Sequence, residues 1–148
     1  MNRILNVFVA LMIGSGAAYA QDDDLPDAQD LAIAAAKRFP QPVRVGDLLG
    51  RRVLEPVESM PTLGRVREIV KLPDGSLAVV MDYYGGFLGF SSRPIAVPVD
   101  GMVLLGQFME VMDFEPEQLE KFPTFNSANT SPLQPGAVIR VGLAKPSH

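Results

Sequence analysis

The side chains that usually do nucleophilic or metal chemistry are almost absent from this chain. It has no cysteine, and its one histidine is the last residue, His148. A Ser-His or Cys-His pair, a multi-histidine metal site, thiolate ligands and disulfides are excluded on that ground. Carboxylates remain. Asp74, Asp82 and Asp100 lie nearest to turns or glycine loops, and paired carboxylates can do acid–base work where a cleft perturbs them. Asp74 is accounted for by the turn Pro73-Asp74-Gly75-Ser76, and Asp100 by the Asp-Gly that follows a strand. Asp82 is expected to pair across a sheet with an arginine, from among Arg51, Arg52, Arg65, Arg67 and Arg93. Gly85-Gly86-Phe87-Leu88-Gly89 has glycines suited to a phosphate loop. It lacks the Lys-Ser/Thr of a P-loop and no helix follows, so it reads as a tight inter-strand connection. The acidic run Asp22 to Asp24 lacks the EF-hand pattern and reads as solvated. Asn129-Thr130-Ser131 fits a glycosylation sequon, which has meaning only on a eukaryotic secretory route. The expectation is no catalytic residue, no metal and no cofactor.

Residues suited to contact are easier to find. Tyr83 and Tyr84 are neighbours in a strand-like run, so their side chains point to opposite faces and one should reach the surface. Phe87, Leu88 and Phe90 sit on the glycine-rich connection, where they either plug the end of the fold or form an apolar patch. Tyr83, Tyr84, Phe87, Leu88, Phe90 and Arg93 are therefore the expected interaction surface. The net charge of −4 argues against nucleic acid and anionic lipid as partners.

The first residues determine the compartment. Met1-Asn2-Arg3 is positively charged, Ile4 to Ala17 is mostly apolar, and Ala18-Tyr19-Ala20 is a small-x-small cleavage site before Gln21. These are the three regions of a secretory signal in order, with cleavage between Ala20 and Gln21. The apolar run is short and broken by glycines, whereas a spanning helix needs about 20 apolar residues. Residues 1–20 are thus expected to be removed, leaving a periplasmic chain with no stable membrane insertion. An uncleaved signal holding a membrane-peripheral protein is the competing reading.

Beyond the leader the chain divides by texture. Residues 21–42 form an acidic extension with a short helix over 26–38, alanine-rich, with Pro26 at its first position and Pro40 and Pro42 after it. Residues 43–112 change to short apolar runs cut by turn residues. Arg65 to Leu72 and Leu77 to Tyr84 flank Pro73-Asp74-Gly75-Ser76 and make a hairpin. Arg51 to Leu54, Ile95 to Val99 and Met102 to Met112 supply further strands, with Pro98 confined to an edge or bulge. No long helix lies between these strands, so an antiparallel sheet is expected, most economically closed into a barrel. Residues 113–124 carry a two-turn helix over Glu115 to Phe122, with Leu119 and Phe122 packing inward. Residues 125–148 read as a linker, then an extra strand over 137–143 that joins either the sheet edge or another chain.

Three stretches within 43–112 resemble the PRC-barrel family. They are Val45-Gly46-Asp47-Leu48-Leu49-Gly50-Arg51-Arg52-Val53, then Leu63-Gly64-Arg65-Val66, then Gly85-Gly86-Phe87-Leu88-Gly89-Phe90 with Ile95-Ala96-Val97-Pro98-Val99-Asp100. The resemblance implies a mainly β fold, a small closed antiparallel β-barrel with short flanking helices. The family includes the cytoplasmic part of a photosynthetic reaction-centre subunit and a domain of a ribosome-maturation factor. Both use the barrel for contacts or assembly, and the family shares no catalytic residues. Export sets this chain apart from both, so neither role is inherited.

The functional expectation is a non-enzymatic periplasmic protein-interaction or assembly module, whose partner is another protein or a second copy in a homodimer. A reading from another class is a small-ligand binder, or a hydrolase using Asp82 or Asp100. It requires a concave pocket in which acids converge.

Overall fold

The computed structural model of the chain describes residues 25–85 and 91–145. The expected signal and its cleavage residues Ala18, Ala20 and Gln21 lie outside the described residues, as do Phe87, Leu88, Phe90 and His148.

The elements follow from local chemistry. Helix α1 (Ala28–Ala36) is capped by Asp27, whose carboxylate accepts the Asp30 N–H at 2.8 Å. The cap falls one residue after Pro26, so the proline precedes the helix and does not open it. Strand β1 (Gln41–Arg44) leads directly into the single turn α2 (Val45–Leu48). Strands β2 (Arg52–Leu54), β3 (Thr62–Lys71) and β4 (Leu77–Tyr83) follow. The β3–β4 hairpin has the expected turn. Gly75 has φ +89°, and the Asp74 carboxylate accepts from the Ser76 N–H at 2.9 Å and the Ser76 hydroxyl at 2.6 Å. Strand β5 (Arg93–Pro98) passes through a 3₁₀ turn (Val99–Gly101) into β6 (Met102–Leu105), and Gly106 at φ +54° turns the chain into β7 (Phe108–Val111). Helix α3 (Pro116–Glu120) has proline at its first turn and a reciprocal capping box between Glu115 and Gln118. Two strands close the chain, β8 (Ser131–Pro132) and β9 (Val138–Leu143).

The strands described form one sheet in the order β1-β9-β6-β7-β2-β3-β4-β5, with β8 pairing to β3 off this path. The sheet is mixed and open, which corrects the expected closed antiparallel barrel. Strand β2 runs parallel to β7, Val53 opposite Met109, and β6 runs parallel to β9, Val103 opposite Gly142. The reasoning that parallel neighbours need a helical crossover assumes that one strand passes directly to the next. Here β2 reaches β7 only after four intervening strands, β3 to β6, and a 3₁₀ turn, so sheet replaces helix as the connector. The two strands that would have to meet to close a barrel are β1 and β5. Each carries proline: Pro42 on β1, Pro94 and Pro98 on β5. Proline donates no ladder hydrogen bond, and it is tolerated in a sheet where its nitrogen faces away from the neighbour. On β5 the segment after α3 lies alongside, where Phe125 N–H donates to the Pro94 carbonyl at 2.7 Å.

Two apolar clusters stabilise the sheet. The larger joins Val53, Ile69, Val79, Met81, Ile95, Val97, Met109 and Val141 with Leu31 of α1 and Leu119 and Phe122 beside the sheet. The smaller lies on the opposite face of β3 and β4. There Val70, Leu72, Ala78 and Val80 pack with Phe125. Strand β4 is thus covered on both faces, and the tail that sequence reads as a linker provides the second cover. Strand β9 resolves the choice left open by sequence, lying inside the sheet between β1 and β6.

Candidate functional site

The β3–β4 hairpin has two ends, and the features with functional interest separate between them. At the open end, β3 begins after a loop over 55–61 and β4 runs into Tyr84 and Gly85. At the turn end, Asp74 and Ser76 approach α1 and the 3₁₀ turn.

At the open end, the tyrosines divide as alternation requires. Tyr83 is 4% exposed and Tyr84 is 38% exposed. The Tyr83 hydroxyl reaches the Pro116 carbonyl at 3.5 Å, and its ring lies 6.0 Å from the Arg93 guanidinium. Burial pushes the Tyr83 phenol up, and Glu120 adds to the effect while Arg93 opposes it. Gly85 crosses this ring so closely that a Cβ there would strike it. Arg93 is turned inward. It donates to the carbonyls of Leu119 at 3.4 Å, Glu120 at 2.6 Å and Phe122, at and just beyond the end of α3. Carbonyls at a helix C-terminus lack partners within the helix, although the Leu119 carbonyl also accepts the Phe122 N–H. Of the expected contact residues that are described, Tyr84 faces outward, whereas Tyr83 and Arg93 anchor α3.

Other apolar groups share this end. Val57 is 43% exposed and Met60 47%, in the loop that ends where β3 starts. Met60 has φ +43°, a strained conformation for a side-chain-bearing residue. The loop is held by Met60 N–H to the Val57 carbonyl and Glu55 N–H to the Pro61 carbonyl. Tyr84 N–H donates to the Leu63 carbonyl, which fixes the tyrosine beside the start of β3. Gly64 makes the close β3–β4 approach possible, since a Cβ at that position would run into the Asp82 carbonyl. Sequence reading missed Val57 and Met60. They stand as two apolar residues in a segment otherwise made of Glu, Pro and Ser, with no periodicity to mark them.

Of the acids considered for catalysis, Asp82 lies apart from Asp74 and Asp100, which border one cleft. Asp82 faces Arg65 on one side and Pro94 on the other, with Arg67 at 3.6 Å as its ion-pair partner. Both side chains of that pair are about half exposed, so it contributes little to stability. Asp100 lies at the opposite end of the β4–β5 ladder, past Pro98, which pairs with Ala78. A stronger ion pair is Arg38 with Asp113, a two-pronged contact at 2.6 and 2.8 Å that ties the end of α1 to the chain after β7. Its partners lie 75 positions apart, and nothing local in the sequence announces it.

At the turn end there is a cleft of 220 Å³. Leu31, Leu77, Phe114 and Phe122 form its apolar walls, and Asp27, Asp74 and Asp100 border it. Phe114 and Phe122 meet edge to face, with centroids 5.2 Å apart. Gly101 brings the 3₁₀ turn against the Phe114 ring, where a Cβ would lie 2.6 Å from it. Ser76 holds the Asp74 carboxyl below the ordinary carboxylate range through its hydroxyl and N–H. No group of three or more acids or histidines among the described residues is arranged to hold a metal. The three carboxylates come from three separate elements, and sequence reading treated only two of them, each as a turn residue.

Among the described residues, no helix is long and apolar enough to cross a membrane. No protein-family model matches the chain, and no curated protein matches it. The PRC-barrel resemblance therefore rests on its three motif stretches alone.

Proposed function

We propose that this chain is a non-enzymatic protein-interaction module, exported by a cleaved leader to the periplasm. The observation that carries this reading is the open end of the hairpin. Tyr84, Met60 and Val57 present exposed apolar surface there on a backbone tied down by its own hydrogen bonds. Contact surfaces favour aromatic and methionine side chains on a rigid support, because little conformational entropy is lost on binding. Of the two acids a hydrolase reading would use, Asp82 pairs with Arg67 on a half-exposed strand face and lines no part of the cleft.

The test is site-specific photo-crosslinking in cells. A benzophenone side chain at position 84 should give a discrete adduct in the periplasmic fraction. The same group at Gln107, in the β6–β7 turn away from this end, should give none. Met60→Asp should abolish the adduct at position 84 while leaving the melting midpoint of the protein unchanged. No adduct at 84, or equal adducts at 84 and 107, would refute the reading. An adduct of twice the chain's own mass would identify the partner as a second copy.

A further inference from the structure

The cleft at the turn end is unused by the proposed contact surface. Its walls are hydrocarbon: Leu31 from α1, Leu77 from β4, and the rings of Phe114 and Phe122. Its volume of 220 Å³ is well above what a single water needs, which suits a small organic body. Its border is anionic. Asp27, Asp74 and Asp100 are all exposed, and the residues lining the cleft include no lysine or arginine. The ion pairs of the described residues go to Asp113 and Asp82; the nearest cation, Arg38, donates to the Asp100 backbone carbonyl at 3.4 Å while its charge is met by Asp113. Two of the carboxylates are held in place, Asp27 by the Asp30 N–H and Asp74 by Ser76.

Such a border selects by charge. An anionic ligand is repelled. An apolar body carrying a positive end meets both requirements. Its hydrocarbon is removed from water against the four apolar walls, its ammonium faces carboxylates, and the two aromatic rings add a favourable surface for a cation.

We propose that this cleft is a binding site for a small amphipathic organic cation of the arylalkyl- or alkylammonium class, with Asp100 as the principal contact for the charged end. Asp100 takes that role because the other two carboxylates are already committed to a helix cap and a turn.

The experiment is titration calorimetry on the full mature chain with three probes of one shape: phenethylammonium, the neutral 2-phenylethanol and the anionic 3-phenylpropionate. Saturable binding is expected for the amine, weaker binding for the alcohol and none for the acid. Affinity for the amine should fall as salt is raised. Asp100→Asn should weaken the amine about tenfold while leaving the alcohol unchanged. Leu77→Trp, which fills the cleft, should weaken both. Far-UV circular dichroism confirms that each variant is folded. If a variant unfolds, amide chemical-shift changes on the unaltered protein must map to residues 27–31, 74–77 and 98–100. Equal affinity for amine and alcohol, an Asp100→Asn variant that binds the amine unchanged, or shifts mapping elsewhere would overturn the proposal.

Discussion

Arg93 offers the most direct check on how the helix beside the sheet is held. Replacing it with alanine removes three donors from the carbonyls of Leu119, Glu120 and Phe122. A hydrogen bond to a charged group contributes about 1.5–3 kcal/mol when buried. The bond to Glu120 is solvent-exposed and the one to Leu119 is long at 3.4 Å, so both count for less. The stacking of Arg93 on the Tyr83 ring adds about 0.5–1 kcal/mol. The sum is a loss of about 2–4 kcal/mol. Leu119 and Phe122 are 0% and 2% exposed. Their burial is worth about 1.5–3 kcal/mol each, so they keep α3 docked, and the slope of the urea transition should not change. The chain has no tryptophan, so the transition is read from tyrosine fluorescence and circular dichroism. Arg93→Lys should recover only part of the loss, because one ammonium cannot serve three carbonyls that lie apart. A loss below about 1 kcal/mol for Arg93→Ala, outside the range for removing buried charged bonds, would show that the guanidinium is not holding the helix. Arg93 would then be free to serve as a contact residue.

Two other perturbations test different parts of the fold. Glu110 on β7 is 9% exposed, and burial raises its carboxyl above the ordinary value. The folded state therefore favours the protonated form. Its cost is absent below the unfolded value and present in full above the folded one. Glu110→Gln should stabilise the protein at pH 7 by an amount that shrinks as pH falls toward 4. Chemical denaturation across that range would refute the assignment if the difference stayed constant. Gly64→Ala should destabilise by about 2–3 kcal/mol through the Asp82 carbonyl. Gly136→Ala, where a Cβ meets nothing within 4 Å, should cost nothing or stabilise slightly. Paired melting curves that rank these two variants the other way would contradict the described β3–β4 spacing.

What sequence revealed was local. The β3–β4 hairpin was legible because Pro73, Asp74 and Gly75 each impose a backbone angle or a bond on the next residues. The α3 helix was legible from Pro116 and the early acids. The pairing of Asp82 with an arginine followed from alternation along a strand. The mixed pairing of the sheet was not legible, because the parallel contacts that make it so join Val53 to Met109 and Val103 to Gly142. No periodicity encodes such a pairing. The prolines at positions 42, 94 and 98 were visible, yet which strands would be outermost was not. The cleft was hidden for a similar reason: Asp27, Asp74 and Asp100 become neighbours only when a helix start, a hairpin turn and a 3₁₀ turn converge. Val57 and Met60 were overlooked because a loop carries no pattern to mark an apolar side chain as unusual.

The prolines at the two margins also govern how copies of this molecule can meet. A sheet with free margins ordinarily invites another chain to extend it rung by rung, the first step toward fibres. Imino acids at both outermost strands withhold the rungs such growth requires, and on one margin the segment around Phe125 already occupies the place. Any complex this chain enters is thereby directed toward side-chain surfaces and loops, where recognition depends on shape and composition rather than on backbone hydrogen bonds that any extended peptide could supply.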